Sequence, residues 1–222
     1  NLTALTDTMR TLALRALSAW TDATGLTFRQ VNGSADITFT RLSERSGGEA
    51  YADSIVDGDG NILSSTVNID QEWLDSEGST LTSYGYQTFI HEIGHALGLG
   101  HAGNYNGTAI YGTSNDARND SWQISVMSYF SQSENTYISD TYAYTITPMM
   151  ADVIAIANLY GTVATLRTGD TTYGENSNAG ANYAMFSTYN ANRTDDITLA
   201  MTIVDQGGND TLDFRSDGAN QR

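Results

Sequence analysis

The 222-residue sequence contains no cysteine, no lysine and a single proline. Without cysteine the chain has neither disulfide bonds nor thiolate ligands, so any bound metal must be held by nitrogen and oxygen atoms. It has no run of about 18 apolar residues, which excludes a membrane-spanning helix. Ten arginines stand against 26 acidic residues, and the formal net charge is −16. A surface this acidic repels phosphate backbones and anionic lipids, so we expect binding to neither nucleic acid nor membrane.

Histidine is also scarce, and all three histidines lie in one stretch, HEIGHALGLGH, residues 91–101. Residues four apart share one face of a helix, so His91 and His95 point the same way and can bind one metal ion. Two chance surface histidines are the alternative. The third histidine, with Gly98 between it and the pair, disfavours that alternative.

The third histidine requires a turn of the chain. In a continuous helix His101 would lie about 15 Å beyond His91, too far to share a zinc ion. Gly98 and Gly100 are predicted to supply the turn, because glycine adopts positive φ at little cost. Three neutral imidazoles form a zinc site with an open position, the catalytic kind. Glu92 is predicted to take a proton from zinc-activated water and return it to a leaving amine.

The N-terminal third of the chain is predicted to form one helix followed by short strands. Apolar residues three or four apart predict a helix over residues 2–20, with Gly25 beyond its end. Three segments have strand character: ADITFT (35–40), EAYAD (49–53) and STVNI (65–69). VDGDGNI (56–62) favours a surface turn over a calcium loop, because the glycine and glutamate of an EF-hand are missing.

Two further helices are predicted. One spans about residues 86–97 and carries the paired histidines, while residues 102–146 are predicted to form irregular surface segments. The other is capped by Thr147, has Pro148 at its first position and ends before Gly161. Its apolar stripe consists of Met149, Val153, Ile156 and Tyr160. The composition changes after this helix, so we expect a domain boundary near residues 162–170.

The histidine stretch matches the HExxHxxGxxH signature of the metzincin zinc endopeptidases, and the chain resembles their serralysin family of secreted bacterial proteases. Three later segments resemble that family in order: SVMSYF (125–130) its Met-turn, TPMMADVIAIANLYG (147–161) its C-terminal helix, and RTGDTTYG (167–174) the segment after that helix. The resemblance implies an α/β (α+β) metzincin-like catalytic domain over residues 1–165, with a twisted, mostly parallel sheet and an active-site helix. Residues 166–222 would begin a calcium-binding parallel β-roll.

The resemblance also implies roles for residues outside the histidine stretch. Met127 would form an apolar floor beneath the histidines. Tyr129 would be an additional zinc ligand that swings away to stabilise the oxyanion. Their own pattern, without the resemblance, favours plain core residues. EAYAD resembles the family's edge strand, along which an extended peptide substrate would lie by strand addition.

A calcium site is expected near the C-terminus. VDQGGNDTLDF (204–214) partly matches the glycine- and aspartate-rich repeat of β-rolls, whose turns hold calcium with carbonyl and carboxylate oxygens. A plain Asp/Gly-rich turn is the alternative. The resemblance implies one shared calcium ion with these ligands: Arg167, Gly169 and Thr171 through backbone oxygens, and Asp205, Gly207 and Asp210. Gly208 would contribute to a second ion.

The sequence therefore predicts a secreted, extracellular zinc endopeptidase with structural calcium. We expect protein and peptide substrates, a possible protein inhibitor and a monomer. A calcium-binding, non-enzymatic secretion or adhesion module with structural zinc is the alternative, which Glu92 disfavours. An astacin-like protease is disfavoured by the absence of cysteine. Ala102 replaces the family's usual proline, and the end at SDGANQR without tandem repeats leads us to expect a partial chain.

Overall fold

The computed structural model describes residues 1–43, 49–161, 166–185 and 198–213. The helices that build the fold are α1 (Asp7–Thr24), α2 (Gln71–Glu77), α3 (Tyr84–Ala96) and α4 (Met150–Tyr160). The strands are β1 (Ile37–Thr40), β2 (Ala50–Val56), β3 (Ile62–Ile69), β4 (Tyr144–Thr145), β5 (Thr172–Gly174), β6 (Leu199–Ala200) and β7 (Thr211–Asp213). In the described part of the chain no helix has the length and apolar character needed to span a membrane.

The first predicted helix is confirmed, but its start is not. The Thr6 side chain accepts a hydrogen bond from the Met9 backbone N–H and caps α1, so the helix begins five residues later than predicted. Leu2 and Leu5 are buried, yet they reach the core from the segment before the cap. The end is as predicted: Gly25 has φ +70° and its N–H donates to a carbonyl of the last turn.

All three predicted strand segments form one sheet with the order β1–β3–β2. β1 pairs with β3 in parallel, with Phe39 opposite Val67, and β2 pairs with β3 antiparallel, with Ala52 opposite the same residue. Within the described residues the sheet is therefore not mostly parallel, since it has one pairing of each kind. The reason is the short connection between β2 and β3, which can only join antiparallel strands.

The connection between β2 and β3 is the predicted turn. The Gly60 N–H donates to the Asp57 carbonyl at 3.2 Å. The Asp57 carboxylate accepts hydrogen bonds from the backbone N–H groups of Asp59 and Asn61 at 3.0 and 2.8 Å. This use of the carboxylate is typical of an Asx-type turn.

Helix α3 lies between α1 and the sheet, with contacts to α1, β2 and β3. It begins at Tyr84, two residues earlier than predicted, because Ser83 caps it through the Tyr86 N–H. Ile90 and Ile93 are fully buried, and burial of each side chain contributes about 1.5–3 kcal/mol. The indole N–H of Trp20 on α1 donates to the Ile90 carbonyl at 3.0 Å. These contacts fix the rotation of α3 about its axis.

Helix α4 does not begin as predicted. Its cap is Met149, whose backbone N–H donates to the Asp152 carboxylate at 2.7 Å. The hydroxyl of Thr147 instead accepts a hydrogen bond from the Thr202 N–H at 2.9 Å, so that residue and the following proline lie outside the helix. The end at Gly161 is confirmed. The predicted apolar stripe is confirmed only in part, because Ile156 is buried whereas Tyr160 is half exposed.

The irregular character of residues 102–146 is confirmed, since β4 is the only strand or helix there. The expectation that the whole range lies at the surface is wrong, because Trp122, Val126, Met127 and Phe130 are buried. β4, which precedes α4, pairs with β6, and β5 pairs with β7, both in parallel. These short pairs do not make up the coils of a β-roll within the described residues, so the β-roll stays a prediction. The boundary expected at residue 165 lies outside the described residues, and so does the tail 214–222.

Candidate active site

The three histidines converge although the third lies beyond the end of α3. His91 and His95 project from one face of the helix, with ring centroids 4.7 Å apart. The His101 ring lies 4.6 Å from the His95 ring and 5.3 Å from the His91 ring. One ring nitrogen of each residue lies within 4.8 Å of the other two.

The turn after α3 depends on one glycine rather than two. Gly98 has φ +97°, a conformation that side chains with a Cβ rarely adopt. The Leu99 N–H then donates back to the Gly94 carbonyl at 3.0 Å, which closes the turn. Gly100 does not have positive φ, and a Cβ built there would meet no atom within 4 Å. The expectation that both glycines are needed for the turn is therefore wrong.

Each imidazole is oriented by a backbone carbonyl. His91 Nδ1 lies 2.8 Å from the Val126 oxygen, His95 Nδ1 lies 2.7 Å from the Leu99 oxygen, and His101 Nδ1 lies 2.8 Å from the Tyr105 oxygen. A carbonyl can only accept, so each Nδ1 carries the proton and each Nε2 carries a lone pair. This arrangement of acceptors around metal-binding histidines is common in proteins.

The donor set fits zinc. The Nε2 atoms of His95 and His101 lie 3.1 Å apart, and both are hydrogen-bond acceptors in this tautomer. Burial lowers the pKa of all three rings; for His91 burial, followed by the nearby His95, lowers it to about 3. Neutral imidazoles with converging lone pairs are the ligands that a zinc ion needs.

Glu92 lies beside the histidines and is almost fully buried. Its Oε2 atom has no hydrogen-bond partner among the described residues. Burial raises the pKa of Glu92 to about 8, and a divalent cation nearby would favour the charged form. A carboxylate with one unpaired oxygen in a low-dielectric site is suited to accept and return a proton.

Met127 packs directly under α3. A Cβ built on Gly94 would come within 2.5 Å of the Met127 sulfur and 3.1 Å of the Trp20 ring. This glycine therefore permits the close approach between the active-site helix and the segment that carries the methionine. No role was predicted for Gly94 from the sequence. Its position between His91 and His95 could have indicated that it matters for the site.

A second residue without a predicted role is Asp152, at the first turn of α4. One carboxylate oxygen accepts from the Ser125 hydroxyl at 2.6 Å, and the other accepts from the N–H groups of Val126 and Met149 at 2.8 and 2.7 Å. Burial raises the pKa of Asp152 to about 6, while these hydrogen bonds act in the opposite direction. Because the Val126 carbonyl orients His91, Asp152 connects α4 to the histidine site.

Tyr129 lies next to the histidines, with its ring 4.4 Å from the His101 ring. Its hydroxyl accepts a hydrogen bond from the Gly107 N–H at 3.3 Å. The side chain is therefore near the histidines, while its oxygen contacts the loop that comes after the third histidine.

The residues expected to bind calcium form two facing segments. The Asp210 carboxylate accepts from the Thr171 N–H at 3.1 Å, and a Cβ on Gly208 would come within 2.5 Å of the Gly169 carbonyl. The Asp205 carboxylate accepts from the Tyr173 hydroxyl at 2.6 Å. These contacts bring the two segments together, with Gly207 in the same turn.

Arg167 was expected to contribute only its backbone oxygen. Its side chain, however, reaches α1 and donates to the Asp22 carbonyl at 2.8 Å and to the Val204 carbonyl at 2.7 Å. The guanidinium also lies over the Tyr183 ring, 4.6 Å from its centroid. The side chain thus ties the C-terminal segment to the helical core.

Comparison with known proteins agrees with this geometry. The family described as matrixin, peptidase M10, matches residues 3–126, which is more than half of the chain. The description "Peptidase M10 serralysin C terminal" matches residues 162–222. The chain therefore belongs to the matrixin family of metallopeptidases, and within it to the serralysin type.

Individual relatives carry matching names. The chain is 37% identical over 218 residues to "Metallopeptidase AprA" of Pseudomonas marginalis, an alignment that covers 95% of this chain and 44% of the relative. It is 36% identical to "Serralysin B" and 39% identical to a "Serralysin C" of Dickeya chrysanthemi, with 93% of this chain and 43% of each relative covered. The chain thus spans less than half the length of these relatives.

Proposed function

We propose that this chain carries the catalytic part of a zinc-dependent endopeptidase of the serralysin type. The observation that carries the proposal is the convergence of three neutral imidazoles, each with its Nδ1–H donated to a carbonyl, beside a buried glutamate. The catalytic part would comprise residues 1–165 and the C-terminal part residues 166–222.

His91, His95 and His101 would hold the zinc ion, and Tyr129 would be a further ligand. When bound, zinc supplies Lewis acidity that makes water nucleophilic near neutral pH and polarises a carbonyl group. Glu92 would accept the proton of the attacking water on its unpaired Oε2 and return it to the leaving amine.

Tyr129 would move between two positions. Its hydroxyl is 3.3 Å from the Gly107 N–H, which supports a position away from the ligand set. From there the phenol can donate a hydrogen bond to the developing oxyanion. Met127 would support the histidines from below, since it is buried against Gly94.

The substrate would be an extended polypeptide. Strand β2 pairs with β3 on one side only among the described residues, and α3 packs beside it. An edge strand can offer backbone donors and acceptors to a peptide in extended conformation. The names of the relatives, metallopeptidase and serralysin, support proteins as substrates.

Other parts of the proposal rest on resemblance to the serralysin family. The enzyme would be secreted, act outside the cell as a monomer and be open to a protein inhibitor. Residues 166–222 would begin a calcium-binding β-roll, with ligands from the two segments around Thr171 and Asp210. The alternative of a non-enzymatic module with structural zinc is not favoured, because the relatives are named as proteases.

Zymography on casein with the purified chain tests the proposal directly. We expect clearing that disappears with a zinc chelator and returns with added zinc, together with about one zinc per chain, as a single three-histidine site requires. Clearing of the same strength from the Glu92→Ala variant would contradict the assigned mechanism. A zinc-loaded wild-type chain without any activity would contradict the proposed function.

A further inference from the structure

We propose that Asp120 is a positioning residue that holds the His101 loop and the Met127–Tyr129 segment in one fixed relation through Tyr105. The proposal rests on the proposed function, because it concerns how two parts of that active site are aligned. Asp120 lies outside the histidine signature and is buried.

One carboxylate oxygen joins the two segments. Asp120 Oδ1 accepts from the Tyr105 hydroxyl at 3.0 Å and from the Ser128 hydroxyl at 2.6 Å. The Tyr105 hydroxyl in turn accepts from the Tyr129 backbone N–H at 3.3 Å. A residue four positions after the third histidine is thus connected to the two residues directly after Met127.

Tyr105 passes this constraint to the third imidazole in two ways. Its carbonyl accepts the Nδ1–H of His101 at 2.8 Å, and its ring stacks on the His101 ring with centroids 5.6 Å apart and planes 20° apart. The same ring lies 4.8 Å from that of Tyr129. A shift of Tyr105 would therefore move both the His101 ring and the Tyr129 ring.

The backbone of the loop is fitted closely to this pair. A Cβ built on Gly103 would come within 2.6 Å of the Tyr105 ring and 3.0 Å of Asp120 Oδ2. With Tyr105 and Asp120 in these positions, only a residue without a Cβ fits at position 103.

The incomplete pairing of the Asp120 carboxylate indicates that it aligns Tyr105 and Ser128 rather than adding to the stability of the fold. Its Oδ2 atom has no hydrogen-bond partner among the described residues, and none of the ion pairs found among them includes it. A buried carboxylate that is only partly paired adds little net stability, because desolvation offsets its hydrogen bonds. Its hydrogen bonds are nevertheless directional, and they fix where the Tyr105 and Ser128 hydroxyls lie.

Metal affinity measured without substrate tests the proposal. Zinc binding is measured by competition with a chromogenic chelator, and ligand geometry by the visible absorption of the cobalt-substituted chain. We expect Tyr105→Phe and Asp120→Ala to weaken zinc binding by about 10–100-fold and to alter the cobalt spectrum. Asp120→Asn should have a smaller effect, since its amide oxygen can still accept a hydrogen bond.

Tyr111→Phe is the matched control. Its hydroxyl lies 2.7 Å from the Arg118 carbonyl oxygen and 2.7 Å from the Asn135 side-chain oxygen, and donates its one proton to one of them. These partners are not among the residues that orient the histidines, so zinc affinity and the cobalt spectrum should stay as in the wild type. If the Asp120→Ala variant fails to fold, the Tyr105→Phe variant tests the proposal, because that substitution removes only one oxygen atom.

Unchanged zinc affinity and an unchanged cobalt spectrum in Tyr105→Phe would overturn the proposal, even if its melting temperature fell. The two proposals can fail separately. A wild-type chain that binds zinc tightly but cleaves no peptide overturns the proposed function alone. A wild-type chain that cleaves casein, with Tyr105→Phe binding zinc equally well, overturns only the role of Asp120.

Discussion

The Nε2 atoms of His95 and His101 lie 3.1 Å apart, while the Nδ1 atoms of the same rings donate to the carbonyls of Leu99 and Tyr105. Two lone pairs therefore face each other at hydrogen-bond distance with no proton between them. This arrangement is unfavourable without a cation and favourable with one.

Zinc should therefore stabilise the folded chain as well as activate it. At a free zinc concentration about 1,000 times Kd, stabilisation is about 4 kcal/mol. Thermal unfolding with and without zinc, in the presence of excess magnesium as a control, measures the effect. The His101→Ala variant should lose most of it, and an undiminished response in that variant would rule out a shared three-histidine site.

Glu92→Gln preserves the shape of the side chain but removes its ability to accept a proton. We expect peptidase activity to fall by at least about 10²–10⁴-fold, because general acid–base catalysis is lost. Zinc content should remain that of the wild type, which metal analysis can verify. Glu72→Gln, at an exposed position on α2, is the control and should retain activity. A zinc-loaded Glu92→Gln chain with normal turnover would exclude Glu92 as the base.

Gly94→Ala and Gly100→Ala make a matched pair within the histidine motif. The first would place a Cβ 2.5 Å from the Met127 sulfur, so we expect overpacking to lower the free energy of unfolding by about 1–3 kcal/mol. The second places its Cβ in open space, and stability should change by less than about 1 kcal/mol. Denaturant unfolding of both variants measures the difference. Equal destabilisation would show that Gly94 has no special packing role.

Asp152→Ala would leave the buried N–H groups of Val126 and Met149 without acceptors. We expect the free energy of unfolding to fall by about 1–3 kcal/mol or more, because unsatisfied buried donors are costly. Asp59→Ala, in the exposed turn between β2 and β3, is the control. Denaturant titration compares the two, and an Asp152→Ala chain as stable as the control would contradict the anchoring role.

The side chain and the backbone carbonyl of Arg167 are expected to have different roles. Arg167→Ala removes the contacts to Asp22 and Val204 but keeps the carbonyl proposed to bind calcium, so we expect lower stability with the calcium response retained. Asp210→Ala should remove the response instead. Melting temperatures with calcium and with a calcium chelator test both variants. A calcium response that survives in Asp210→Ala and disappears in Arg167→Ala would reverse the assignment.

The helix that carries His91 and His95, and the place where it ends, could be predicted from the sequence. These features depend on interactions within a few residues, namely the four-residue spacing and the positive φ of Gly98. The start at the Ser83 cap was not predicted. Local chemistry also specified the strand segments and the turn at Asp57, because alternation and Asx turns need no distant partner. The prediction of a Thr147 cap was wrong because the Thr147 hydroxyl accepts a hydrogen bond from the backbone N–H of a distant residue, Thr202.

The surroundings of the site could not be predicted, because they are formed by residues that are distant in sequence. The Val126 carbonyl that orients His91 lies 35 residues away in sequence, and Asp152 that holds Val126 lies a further 26 residues on. Gly94 has its role only because Met127 packs against it. Residues that come into contact only when the chain folds leave no periodic pattern in the sequence of either segment. Their hydrogen bonds and contacts form because the two segments are buried together, which no local pattern specifies.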